Sequence, residues 1–71
     1  MEKYLNQRGN SPITHFLIED KKITVWFKGG KSYAYSYSKA GNNHVEEMKS
    51  LAESGSGLSA YITHNVKFLY D

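Results

Sequence analysis

The segment Ser54–Gly57, which reads Ser-Gly-Ser-Gly, is the part of the chain best suited to hold an anion. It precedes a predicted helix, so backbone amides, the positive helix end and the hydroxyls of Ser54, Ser56 and Ser59 can converge on one phosphate-sized group. No lysine stands where a phosphate-binding P-loop needs one, so triphosphate hydrolysis is not indicated. The alternative is an ordinary turn between two helices, with Ser56 as the N-cap.

Positive and aromatic side chains cluster in the central segment Lys22–Ser38. Lys28 and Lys31 flank a pair of glycines, where they could bind phosphate oxygens or serve only to keep a turn soluble. The same segment carries four rings that could stack nucleic acid bases, namely Trp26, Tyr33, Tyr35 and Tyr37. Two alternatives remain open for the rings: burial against the N-terminal segment or second helix, and burial in a homodimer interface.

The remaining reactive side chains do not form a catalytic or metal-binding pattern. His15, His44 and His64 are scattered without metal-like spacing, and the chain has no cysteine. No Gly-x-Ser-x-Gly elbow accompanies the serines. We therefore predict a protein that is not an enzyme, with no cofactor and no metal site.

Composition limits the size of the fold and the kind of ligand. With 71 residues, of which 39% are hydrophobic and 23% charged, the chain has room for one domain with a modest core. The net charge of +2 suits a ligand with a few phosphates, or a short RNA, better than a long polyanion. No apolar run reaches the roughly 20 residues of a membrane span, and no secretory signal is visible, so we expect a cytoplasmic protein without membrane contact.

The chemistry of the central segment depends on a predicted β-hairpin. Two β-rich runs flank Gly29-Gly30, which suits a turn with positive φ. A two-residue loop would pair Val25 with Ala34 and Trp26 with Tyr33. One face of the hairpin would then be aliphatic and covered by a helix, and the other would be an aromatic stripe. A three-residue loop would exchange these faces.

The rest of the chain predicts an α+β fold, a three-stranded antiparallel meander followed by two helices packed on one face. Residues 1–12 are expected to be an irregular lead-in, and Ile13–Glu19 the first strand. A helix is predicted from His44 to Ser54, with a capping box formed by Asn43 and Glu46 and with Gly55 as its stop. A second helix is predicted over 58–69, with a break near Asn65.

The pattern Phe27-x-x-Gly30-x-x-Tyr33-x-Tyr35, followed by an amphipathic helix, a Ser/Gly turn and a last helix, resembles the KTSC domain. That family is named for the C-terminus of some lysyl-tRNA synthetases, and the resemblance covers roughly residues 11–70. Tyr37-Ser38 stands where members commonly have a Val-Pro-like step, and Ser54–Gly57 matches the family's Ser-x-Gly only loosely. The resemblance implies a compact domain over residues 13–71. It implies no established activity, although RNA binding has been suggested from the synthetase context.

We expect a homodimer that captures a small nucleotide. By analogy with small viral proteins that sequester nucleotide immune signals, a cyclic oligonucleotide is the specific hypothesis. Its bases would stack on Trp26 and the three tyrosines, and its phosphates would meet Lys28, Lys31, Arg8 and the loop before the last helix. One alternative is a module that binds single-stranded RNA or tRNA, and another is a protein-interaction adaptor that uses the aromatic face.

Overall fold

The computed structural model describes all 71 residues as an antiparallel sheet with helices packed on one face. Four strands lie side by side in chain order: β1 (Glu2–Lys3), β2 (Ile13–Glu19), β3 (Lys22–Phe27) and β4 (Ser32–Ser36). Two helices follow, α1 (Asn42–Ser54) and the short α2 (Leu58–Tyr61), which continues into a π-helical turn at Ile62–Val66. The α+β prediction is confirmed, as are the bounds of the Ile13–Glu19 strand.

The sheet has four strands, not the predicted three, because part of the lead-in joins it. Lys3 lies opposite His15 and Glu2 opposite Phe16, so β1 extends the sheet beyond β2. A two-residue strand carries too little alternation to be recognised in a sequence. Tyr4, the next residue, is 97% buried and anchors this segment in the core. Residues 1–12 are therefore only partly irregular.

The predicted hairpin register is wrong by one residue. Ile23 lies opposite Tyr35 and Val25 opposite Tyr33, because the loop contains three residues, Lys28 to Gly30. The Phe27 amide donates to the Lys31 carbonyl at 2.8 Å and closes this loop. Both loop glycines have φ near +90°. Since side chains alternate along a strand, a shift of one residue moves every side chain of β4 to the other face.

The register shift divides the predicted aromatic stripe between the two faces of the sheet. Tyr33 and Tyr35 lie with Val25 on the face that the helices cover, and Tyr35 is 99% buried. Trp26 lies on the opposite face, across from Ser32. The expectation of one continuous aromatic face is therefore wrong.

The helices cover the core face with the apolar side chains that their periodicity predicts. Val45, Met48 and Ala52 of α1 are buried. Leu58, Ile62 and Val66 are buried along the second helical segment. The helical structure ends at Val66, three residues before the predicted Leu69, and the π-helical turn contains the position of the expected break. Neither helix is long and apolar enough to cross a membrane.

The predicted capping box at the start of α1 is absent. The helix begins at Asn42, two residues earlier than predicted, and its N-cap is Gly41, which has no side chain to cap with. The Glu46 carboxylate instead accepts a hydrogen bond from the Tyr37 hydroxyl. The Glu46 side chain therefore contacts the residue that follows β4 and not the N-terminus of its own helix. Gly55 ends the helix in the left-handed conformation, as predicted.

Candidate functional site

A polar cleft lies between the N-terminal segment and the loop before α2. Its volume is about 290 Å³. The cleft brings together Arg8 with Ser56, Gly57 and Ser59, four of the residues that the sequence singled out. The other lining residues are Tyr4, Asn6, Asn10, Ser11, Gly55 and Ala60. Residues almost fifty positions apart thus form one site.

Three long-range hydrogen bonds hold the two walls of the cleft together. The backbone amide of Gln7 donates to the Gly55 carbonyl at 2.8 Å, and the side-chain Nε2 of Gln7 donates to the Ser54 carbonyl at 2.6 Å. The Leu58 amide, at the start of α2, donates to the buried Tyr4 hydroxyl at 3.3 Å. The first of these bonds joins backbone to backbone and the third joins backbone to a buried ring, so these two fix the distance between the walls.

The N-terminal wall is itself a closed loop. Asn6 Nδ2 donates to the Ser11 carbonyl at 3.4 Å, and the Ser11 amide donates to Asn6 Oδ1 at 3.1 Å. Asn6 has φ of 52°, a left-handed conformation that asparagine tolerates better than most residues because its side chain bonds locally. This loop presents Arg8 and Asn10 to the cleft.

The electrostatics of the cleft favour an anion. Arg8 is the one charged residue in its lining, which contains no aspartate or glutamate. Neither of the two ion pairs in the chain involves Arg8, so its guanidinium is available to a ligand. The amides of Ser56 and Gly57 make no hydrogen bond within the chain and can donate in the same way. A guanidinium with nearby backbone amides suits a phosphate or a carboxylate.

The Ser54 side chain lies outside the cleft. Its hydroxyl donates to the Leu51 carbonyl of the same helix at 2.9 Å, and the Ser56 carbonyl lies 3.3 Å from it. The alternative in which Ser56 caps the helix is wrong, because the N-cap of α2 is Gly57, in the left-handed conformation.

A second concavity, here called the aromatic groove, lies where the helices leave β4 uncovered. Its volume is about 280 Å³. The lining residues are Phe27, Tyr33, Tyr35, Ile62, Lys67, Phe68 and Tyr70. The Tyr33 ring packs against Tyr70 at a centroid distance of 4.8 Å and edge-on against Phe27 at 5.8 Å. Phe68 is 76% exposed beside the groove.

The predicted ligand-binding tyrosines differ in their burial and in the contacts that they make within the chain. Burial, with smaller effects from Tyr33 and Tyr70, raises the pKa of Tyr35 to about 12. The buried Tyr35 ring therefore cannot serve as an open stacking face. The hydrogen bond to Glu46 raises the pKa of Tyr37. Since Lys49 Nζ also lies 5.6 Å from the Tyr37 ring centroid, that side chain belongs to a local structural cluster.

The structure does not bring the remaining predicted residues to the cleft. Lys28 and Lys31 are exposed at the hairpin turn, and Trp26 is half-buried on the sheet face away from the helices. The predicted set therefore divides among the cleft, the aromatic groove, the hairpin turn and the uncovered sheet face, and Tyr37 and Ser54 lie in none of these four places. A single ligand site containing all of these residues is not formed.

Several cleft and groove residues were missed by the reasoning from sequence. Asn6, Asn10 and Ser11 lie in the polar run before Pro12, whose length and composition could have indicated a binding loop. Phe68 and Tyr70 follow the last helical residue, and no motif in the sequence distinguishes them as ligand-binding residues. Their position opposite Tyr33 depends on the tertiary fold.

No group of three or more His, Cys, Asp or Glu side chains is close enough together to hold a metal ion. His44 instead contacts Tyr61, with 2.7 Å between Nδ1 and the hydroxyl, and so joins the start of α1 to α2.

Comparison with protein-family models, with curated proteins and with solved structures gives no match for this chain. The resemblance to the KTSC domain therefore stays a prediction based on its short motifs.

Proposed function

We propose that this protein binds a small phosphorylated ligand of the nucleotide class in the polar cleft, without chemical turnover. The observation that carries the proposal is that Arg8 lines one cleft together with Ser56 and Gly57, whose backbone amides make no hydrogen bond within the chain. Charge-assisted hydrogen bonds from such donors are the usual means of holding a phosphate. The volume of about 290 Å³ is close to the lower end of the range for small-molecule sites.

The lining residues favour binding over catalysis. Ser56 and Ser59 have no histidine or carboxylate in the lining that could act as a base toward them. The side chains of Asn10 and Ser59 offer further donors and acceptors for a sugar or a base edge. A cyclic oligonucleotide remains the specific hypothesis within this class, and sequestration of such a signal the corresponding role.

A thermal-shift and calorimetric panel tests the proposal. The panel contains inorganic phosphate, adenosine mono-, di- and triphosphate, cyclic mononucleotides, cyclic dinucleotides and cyclic trinucleotides. A ligand at about 100 times its Kd adds about 2.7 kcal/mol to the free energy of unfolding, which should raise the Tm by roughly 10 °C or more in a domain of this size. A panel in which no compound shifts the Tm contradicts the proposal.

Arg8→Gln and Lys28→Gln form a matched pair for locating the ligand. Each removes one exposed positive charge, but only Arg8 lines the cleft. A hydrogen bond to a charged group contributes about 1.5–3 kcal/mol, so Arg8→Gln should weaken binding by roughly 10- to 150-fold. Lys28→Gln should weaken it by less than about threefold, because an exposed charge remote from the ligand is screened. Equal losses of affinity in the two variants would mean that the ligand does not bind in the cleft.

The aromatic groove supports a second proposal, that two copies of the chain associate. Phe68 is 76% exposed and lies beside a groove of about 280 Å³, so two-fold pairing could seat the Phe68 ring of each copy in the partner's groove. Sedimentation equilibrium should show a dimer that Phe68→Ser converts to a monomer. Leu17→Ser removes an exposed apolar side chain from the other sheet face and should leave the dimer intact. A wild-type chain that sediments as a monomer at high micromolar concentration would contradict this proposal.

A further inference from the structure

The sheet face away from the helices carries a row of side chains that neither the cleft nor the aromatic groove uses. Lys3 of β1 lies opposite His15 of β2, His15 opposite Trp26 of β3, and Trp26 opposite Ser32 of β4. Residues directly opposite one another in an antiparallel sheet project from the same face, with Cβ atoms about 4.5–5.5 Å apart. A cation, an imidazole, an indole and a hydroxyl therefore form one line across the sheet, here called the Trp26 row.

A β-bulge establishes which side of the sheet the row occupies. The register of β2 against β3 shifts between Ile13 and His15, so Thr14 is the extra residue. The Thr14 hydroxyl donates to the Trp26 carbonyl at 3.3 Å, and this hydrogen bond stabilises the bulge. As a result Ile13 and Phe16 are both buried in the core, while His15 projects from the uncovered face.

Trp26 is outside the hydrophobic core. It belongs neither to the buried cluster nor to the partly buried apolar side chains packed against that cluster. The chain has one tryptophan, and it stands half-buried on a face where its cross-strand neighbours are His15 and the small Ser32. An indole with so little apolar packing is better explained by a partner for its ring than by folding stability.

Charge around the Trp26 row complements a phosphodiester backbone. Lys3 ends the row, and Lys28 and Lys31 are exposed at the adjoining hairpin turn. Two acidic side chains lie at the other end of this face: Glu19 at the end of β2, where Lys22 pairs with it at 4.0 Å, and Asp71, whose Oδ1 accepts a hydrogen bond from the Ser36 hydroxyl of β4 at 2.7 Å. The end of the face that carries the rings is therefore positive.

We propose that the Trp26 row binds single-stranded nucleic acid, with bases stacked on Trp26 and His15 and phosphates near Lys3 and the hairpin lysines. Base stacking on aromatic side chains of a sheet needs no sequence-specific contact, because every base presents a flat face. A double helix is excluded because its bases are already stacked inside it. This site is separate from the polar cleft and does not depend on the ligand proposed there.

Because Trp26 is the one tryptophan of the chain, the tryptophan fluorescence reports on this face of the sheet. We expect an oligouridylate of about eight nucleotides, within the usual site size of such surfaces, to quench the Trp26 fluorescence on titration. A duplex of the same length should leave the fluorescence unchanged. The matching deoxythymidylate strand reports whether the 2′-hydroxyl contributes. No quenching by either strand up to millimolar concentration would overturn the proposal and leave a protein partner as the alternative for this face.

Variants then locate the strand, read by the anisotropy of a fluorescein-labelled oligouridylate. Trp26→Ala should weaken binding about tenfold or more. Lys39→Gln removes an exposed positive charge from the turn that follows β4 and should have no effect. Lys3→Gln should reduce the slope of log affinity against log salt by about 0.7, the value expected for one phosphate contact on a single strand.

The cleft variant separates this inference from the proposed function. Arg8→Gln should leave oligouridylate binding unchanged while it weakens binding of the small phosphorylated ligand. If Arg8→Gln abolishes oligouridylate binding, or if Trp26→Ala leaves it intact, the strand does not bind at the Trp26 row. A flat small-nucleotide panel accompanied by quenching of Trp26 would refute the cleft proposal alone.

Discussion

The docking of the N-terminal segment against the end of α1 can be tested by a single methyl group. Gly55 has φ of 78°, and a Cβ built on it would lie 2.6 Å from the Cβ of Leu5. An alanine at a left-handed position costs about 1–2 kcal/mol in backbone strain. The overlap with Leu5 adds roughly 1–3 kcal/mol of overpacking, because the clashing atom adjoins the backbone and cannot rotate away. We therefore expect Gly55→Ala to lower the free energy of unfolding by about 2–5 kcal/mol.

Gly57→Ala is the matched control for this prediction. Gly57 has φ of 85°, almost the same backbone strain, but its added Cβ would lie 3.6 Å from Leu51 Cδ2, an ordinary contact. The two variants should differ by the overlap with Leu5 alone, about 1–3 kcal/mol, which corresponds to a Tm at least about 4 °C lower for Gly55→Ala. Urea unfolding and thermal melting followed by circular dichroism measure both values.

Leu5→Gly in the Gly55→Ala background provides the converse check. It removes the Cβ that the new methyl group meets, so part of the lost stability should return. If Gly55→Ala is no less stable than Gly57→Ala, the N-terminal segment does not pack on the end of α1. The polar cleft, one wall of which is that segment, would then not exist as described.

Three further predictions concern titratable side chains. Because burial raises the pKa of Tyr35 to about 12 while the unfolded chain ionises near 10, the stability that its neutral form provides is complete below pH 10 and is lost as the pH rises to 12. Tyr35→Phe should therefore lose less stability than the wild type over that range in alkaline denaturation. Hydrogen bonds from Tyr37 and Lys49 lower the pKa of Glu46, so its stabilising effect is present above its ordinary pKa and is lost as the pH falls through the lowered value. Glu46→Gln should give a shallower fall of Tm with acid between about pH 5 and 2, and an unchanged acid profile would show that the Tyr37–Glu46 bond contributes nothing. Tyr61→Phe removes the 2.7 Å contact with His44 and should cost about 1 kcal/mol by urea unfolding, whereas an unaffected midpoint would mean that solvent replaces the bond.

Local patterns were sufficient to identify most elements of the fold. The apolar and β-branched residues of Ile13–Glu19 predicted its strand, and the spacing of Val45, Met48 and Ala52 predicted the buried face of α1. Gly55 marked the end of that helix because only glycine adopts the left-handed conformation there without strain. Each of these features depends on residues within a few positions of one another.

The candidate site was predictable only in fragments. Arg8, Ser56, Gly57 and Ser59 were each suggested by residue type, yet nothing local indicated that Arg8 faces the other three. Their meeting depends on the Gln7–Gly55 and Tyr4–Leu58 hydrogen bonds, which span about two thirds of the chain or more. Hydrogen bonds between residues so far apart produce no periodic pattern in the sequence.

The sequence by itself determined the α+β class, the order of the main elements and the residue types available for binding. The tertiary structure decided the hairpin register, and with it the face on which every ring of β4 lies. The physical reason is that Gly29-Gly30 suits a loop of two residues and a loop of three, so the local residues do not select one register. The choice between them was made by the packing of Tyr35 against Ile23 under the helices. That packing buried Tyr35 and left Trp26 on the uncovered face.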